Sequence, residues 1–182
     1  LRGGVICAGT VAVPTSELEA FLGFPHDTLS GAGNGPTVEG SAIQRTFSAE
    51  PGDALTFNYN FLTSESLPSG LNTVNDFAFV ALVGGEVTVL ADLFAGLDAS
   101  TTTYANESGY RTWTVVLTQG GNYTLKIGVV DTVDFSADSA LLIDNITIGG
   151  QLLDNLGFED GTLTQYSSIG DARVVGAGFG VA

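Results

Sequence analysis

The chain is poor in cysteine, histidine, basic residues and long apolar runs, and it has no methionine. Its one cysteine, Cys7, has no partner for an intrachain disulfide, so no covalent framework holds the fold. One cysteine with one histidine, His26, also excludes the usual zinc ligand sets. Five Lys+Arg stand against 20 Asp+Glu, a net charge of −15. That balance repels phosphate backbones and anionic membranes, which excludes nucleic acid as a partner. No apolar run approaches the ~18 residues of a membrane-spanning helix, so no membrane span is expected. No secretory signal opens the sequence, and without Met it reads as a processed product, an expressed fragment or an excerpt of something longer.

What is present is enough for one domain over residues 1–182: 44% of the residues are hydrophobic, and 25 glycines supply many tight turns. The main signal is alternation. Leu55, Phe57, Tyr59 and Phe61 share one strand face, and Thr56, Asn58 and Asn60 the other. Phe77–Val83 is apolar on both faces and reads as a central strand, turning at Gly84-Gly85 into Glu86–Leu90. Trp113, Val115 and Leu117 alternate with Thr112, Thr114 and Val116. Gly120-Gly121-Asn122 then turns into Tyr123, Leu125, Ile127 and Val129, and a last strand spans Ala140–Ile148. One stretch reads as helix: Ser16 and Glu19 fit a capping box ahead of Ala20-Phe21-Leu22, and Gly23 and Pro25 end it. Leu29–Gly40 and Thr63–Asn75 read as loops. Short strands at regular spacing predict an all-β fold, a jelly-roll-type β-sandwich with one short helix near the N-terminus. Trp113, Phe57, Phe79 and Leu125 are expected between its sheets.

Val5–Val13 and Ala172–Ala182 also read as strands of small, apolar residues. An exposed apolar edge would aggregate. Each must therefore pair, either within the chain or with a neighbouring chain.

The acids are the main candidates for chemistry. Asp131, Asp134 and Asp138 are expected in a loop before the strand that carries Asp144, and Glu159-Asp160-Gly161 follows the next turn. Calcium takes six to eight oxygens from carboxylates and carbonyls, and loops of this kind offer both; a solvated acidic loop is the plain alternative. No feature selects a glycosidase carboxylate pair among 20 acids, His26 has no nucleophile beside it, and Cys7 sits among apolar residues as a buried small side chain would. No enzyme is predicted. Tyr104, Tyr110 and Tyr166, at loops or strand ends, are the candidate platforms for sugar stacking. Asn106, Asn122 and Asn145 match the N-glycosylation acceptor, as chance alone would produce in a chain rich in Asn and Thr.

Two resemblances add to this. Gly40–Glu65, Asn75–Leu82 (NDFAFVAL) and Gly128–Ile146, in that order, resemble exported β-sandwich domains of cyanobacteria and other Gram-negative bacteria, which often carry a PEP-CTERM-type sorting signal. That implies an extracellular or cell-surface location. Gly157-Phe158-Glu159-Asp160-Gly161 resembles the opening of jelly-roll carbohydrate-binding modules attached to glycanases. Those modules hold a structural calcium on that Glu and on an Asp of the final strand, which implies calcium on Asp144 and Glu159 with carbonyls near Gly161. Loop acidity and the NDFAF block suggest a second calcium position among Glu65, Asp76 and Asp138.

The opening motif follows the final strand here, so 156–182 reads as a permuted segment, the cut end of a tandem array, or a strand donated head to tail to a neighbouring copy. The expected function is a non-enzymatic extracellular structural module, a surface, adhesive or filament-forming subunit. The alternative is a calcium-dependent carbohydrate-binding module with a glycan partner.

Overall fold

Extended segments with alternating faces collapse here into two antiparallel sheets packed on one another. The computed structural model describes residues 2–9, 11–33, 35–66, 74–82, 86–152 and 158–176. Their order is β1 (Arg2–Ala8), β2 (Val13–Pro14), α1 (Thr15–Leu22), α2 (Thr28–Ala32), β3 (Thr37–Ala49), β4 (Ala54–Thr63), β5 (Phe77–Leu82) and β6 (Thr88–Asp92). There follow β7 (Asp98–Ala99), β8 (Asn106–Glu107), β9 (Arg111–Val116), β10 (Gly121–Thr132), β11 (Ser139–Ile148), β12 (Ser167–Ile169) and β13 (Asp171–Gly176). One sheet runs β13-β1-β11-β4-β8-β7, with β9 also on β4. The other runs β12-β3-β10-β5-β6, with β2 on β3. The expected turn at Gly84-Gly85, the loop tip over 67–73, Gly157 and the tail from 177 lie outside the described residues.

Inward-facing side chains of both sheets make the main core. Ile43, Phe57, Phe61, Val80, Ile127, Val129, Leu141 and Ile143 are all at most 1% exposed. Trp113 is half-buried and leans on Phe57, with 5.1 Å between ring centroids. Each such apolar side chain contributes about 1.5–3 kcal/mol. Leu125 lies between the sheets as expected, but Phe79 does not. It is buried on the far face of its sheet, with Leu18, Leu22, Leu29, Phe77 and Val130, under α1 and α2. A strand apolar on both faces serves two cores, and alternation alone could not say which side the helices cover.

The helical region departs from expectation in three respects. There are two helices, since α2 forms inside the segment read as a loop, and β3 begins there as well. Helix α1 starts at Thr15 after Pro14, with no side-chain cap, so Ser16 lies inside the helix. Glu19 does not turn back on Ser16. It is 3% exposed, and its carboxylate accepts the backbone N–H groups of Asp27 at 3.0 Å and Leu29 at 2.9 Å, which gives donors at the start of α2 their acceptors. Gly23 does end α1, in the left-handed conformation at φ 67°.

The described parts of the terminal segments pair within the chain. Val13 is not continuous with Val5: β1 belongs to one sheet and β2 to the other. β1 lies between β11 and β13, Val5 standing opposite Leu142 on one side and Arg173 on the other.

A carboxyl layer at the loop end of the sandwich

The inward-facing row of each central strand ends on an oxygen-bearing side chain at the same end of the sandwich. On β10, Leu125, Ile127 and Val129 are followed two residues on by Asp131. On β5, Val80 and Ala78 lead back to Asp76, one residue before the strand. β11 ends this way on Ser139, β4 on Thr63 and β3 on Glu39. Register aligns them: Glu39 is opposite Asp131 and Ser139 is opposite Thr63. Phe77 pairs with Val130, which brings Asp76 alongside Asp131. The result is a polar layer capping the apolar core, and it is deeply buried. Asp131 is 2% and Asp76 1% exposed, and Thr63 and Ser139 are fully buried.

Asp76 is well supplied with donors. Its Oδ1 accepts the Thr132 N–H at 2.9 Å and its Oδ2 accepts the Ser139 hydroxyl at 2.8 Å. The Thr132 hydroxyl accepts the N–H of Asn75 at 2.7 Å, and Thr63 accepts that of Glu65 at 2.9 Å, so the loops are fastened to the same layer. Asp131 is different. Its carboxyl meets that of Asp76, and its Oδ1 has no hydrogen-bond partner among the described residues. Burial, and then the charge of Asp76, pushes the Asp131 carboxyl well above the usual carboxylate range, and burial raises Asp76 as well. Glu65 is also raised, by burial first and then by Asp76 and Asp134.

No basic side chain among the described residues is paired with the layer. None of Glu39, Glu65, Asp76, Asp131 or Asp138 has an ion pair among the described residues, whose resolved pairs are His26–Asp27 and Arg173–Asp171. A depression of about 510 Å³ lined by Ser64, Thr103, Tyr104, Ser136, Ala137 and Asp138 opens beside it.

The structure thus brings Glu65 and Asp76 together and leaves Asp138 at the rim, its carboxylate packed against Gly9. Asp131 is not in a loop, as expected from the sequence, but inside β10. Ser139, Thr63 and Glu39 were not singled out at all. The period-two rows of Ile127-Val129-Asp131 and Val80-Ala78-Asp76 carry the signal that finds them.

The other expected calcium position lies elsewhere on β11. Asp144 is 3% exposed, on the same strand face as Ala140 and Leu142, and its Oδ1 accepts the Asn145 N–H at 2.7 Å. Burial, and secondarily the charge of Glu159, raises it. Glu159 is exposed, and the Gly161 N–H closes its turn on the Phe158 carbonyl at 2.9 Å. Phe158 anchors that turn in the main core, stacked on Tyr166. Among the described residues, no three Asp, Glu, His or Cys side chains are grouped so as to hold a metal ion.

Two sugar-platform candidates are occupied. Tyr166 is 9% exposed beneath Arg45, and the half-buried Tyr104 donates its hydroxyl to Cys7 Sγ at 3.7 Å. Burial raises the Cys7 thiol, which keeps it protonated and unreactive. His26 is at the surface, 2.9 Å from the Asp27 carboxylate.

No protein-family model, no curated protein and no solved structure matches the chain.

Proposed function

We propose that the protein is a non-enzymatic extracellular structural module, a surface, adhesive or filament-forming subunit that associates with copies of itself. The observation that carries this is the edge of the seven-stranded sheet. Strand β13 pairs with β1 on one side, and no described strand pairs with its other side. It seats Ala172 and Val174 on the core and contains no Pro or bulge, and its two charged residues, Asp171 and Arg173, pair with each other. Edges left this way are templates for strand addition by a second chain. The strongly acidic surface suits a protein that must stay soluble until that contact forms.

Within this reading the sandwich is of the jelly-roll type. Successive long strands change sheet, from β3 to β4 to β5 and again from β10 to β11, as that topology requires.

A carbohydrate-binding reading has one observation in its favour. A polar groove of about 430 Å³ runs along Gln44, Arg45, Thr46, Thr124 and Gln165, within the size range of a small-ligand site. Calcium on Asp144 and Glu159 belongs to that reading.

Electron microscopy and sedimentation of the intact chain, run beside a glycan array, separate the two. Filaments or whole-number multiples of the 18.7 kDa chain, with no glycan bound, are the expected result. A chain that stays monomeric at all concentrations and binds array glycans replaces the structural reading with the second.

A further inference from the structure

We infer that the inter-sheet layer is a calcium site, with the carboxylates of Asp76 and Asp131 as its charged ligands and Glu65 and the layer's hydroxyls beside them. The inference does not depend on how the protein assembles. It starts from the buried Asp131 Oδ1, which has no hydrogen-bond partner among the described residues, although Thr63, Asp76, Thr132 and Ser139 around it all have one. A buried carboxylate oxygen left without a donor costs the full desolvation of that group, so native structures rarely keep one without a reason.

Two partners could make the Asp76–Asp131 contact favourable: a shared proton or a cation. A proton between the two carboxyls satisfies their mutual contact, as in acid dyads. It does nothing for Glu39, Glu65 and Asp138, whose charges bear on the same pair or on one another. A cation would offset those charges and give the buried Asp131 carboxylate a partner. The available donors are all oxygens, from carboxylates and from the hydroxyls of Thr63, Thr132 and Ser139, without imidazole or thiolate. That selects a hard cation. Calcium accepts six to eight such ligands in irregular geometry, with two or three carboxylates and the remainder neutral, whereas magnesium demands a near-ideal octahedron. The grouping of only two close carboxylates is therefore enough for calcium. The depression bordered by Asp138 and Ser64 offers an entry path from solvent.

Thermal unfolding of the intact chain with calcium, with magnesium and with EDTA tests this, together with Asp131→Asn and calorimetric titration with calcium chloride. Calcium at a hundred times its dissociation constant should raise the folding equilibrium constant about 100-fold, magnesium far less. A dissociation constant of roughly 10⁻⁴–10⁻³ M is the range of extracellular calcium modules. Asp131→Asn should fold without calcium at least as well as the parent, because its amide can donate to Asp76, and it should lose the calcium response. The inference is overturned if calcium leaves the parent's melting temperature unchanged. It is equally overturned if Asp131→Asn responds like the parent while Asp144→Asn abolishes the response, since the ion then sits at the Glu159 turn.

Discussion

Glu19 and Asp131 are carboxylates buried to the same degree, 3% and 2% exposed, in two parts of one molecule. Under the helices, Glu19 receives two backbone N–H groups and ties α1 to α2. At the loop end of the sandwich, Asp131 meets a second carboxylate and keeps an oxygen without a donor. Equal burial therefore has opposite meanings. The first group is a completed structural joint, whereas the second keeps an oxygen with no donor among the described residues. Counting hydrogen-bond partners separates them where burial does not. The two regions meet along the backbone of β5 and β10, because Phe77 and Val130 turn to the helix side and the residues beside them, Asp76 and Asp131, to the layer.

The largest expected effect tests whether that shared backbone couples the regions. Phe77→Ala removes a fully buried ring from the helix-side cluster and should cost roughly 3–5 kcal/mol. Urea unfolding measures the loss, and the calcium-dependent part of the stability should survive it. If that part vanishes as well, the regions are one cooperative unit and the comparison fails.

Next comes Glu19→Ala. It strips the donors of Asp27 and Leu29 of their acceptor, one of them buried, and should destabilise by about 2–3 kcal/mol whether or not calcium is present. A loss below about 0.5 kcal/mol would show that α2 does not depend on this cap.

Asp131→Asn should act in the opposite direction, stabilising the calcium-free protein by about 1 kcal/mol through one new hydrogen bond to Asp76. Melting in EDTA reads this directly, and destabilisation there would mean that Asp131 is already satisfied without an ion.

The smallest effect is expected from Gly9→Ala. The new methyl would reach within 2.6 Å of the Asp138 carboxyl carbon, which sits at the movable end of an exposed side chain. A change within about 0.5 kcal/mol is expected. A larger one would show that Asp138 is held in place as part of the layer rather than resting at its rim.

Much of the fold can be read locally. The faces of β4, β9, β10 and β11 follow from period-two alternation, and the end of α1 from Gly23. The candidate acids Glu65 and Asp76 were visible as loop acidity, but Asp131 was misplaced. The segment Asp131-Thr132-Val133-Asp134 looks like a turn in isolation, and pairing with β3 extends the strand through Thr132. The second helix was hidden for a similar reason: Leu29 is fully buried and its N–H is capped by Glu19, ten residues earlier and on another helix.

By itself the sequence determined the all-β character, the alternating faces and the strong negative charge, because each depends on side-chain types and their spacing along a few residues. Tertiary structure alone decided which face of β5 the helices cover, that β13 returns to β1, and that a polar layer caps the core. Those outcomes depend on register between distant strands. Thr132 reaches Asp76 across 56 residues of chain, a proximity that no local pattern encodes. The unpartnered oxygen of Asp131 belongs to the same class, since it is defined by which of the described residues the fold places beside it.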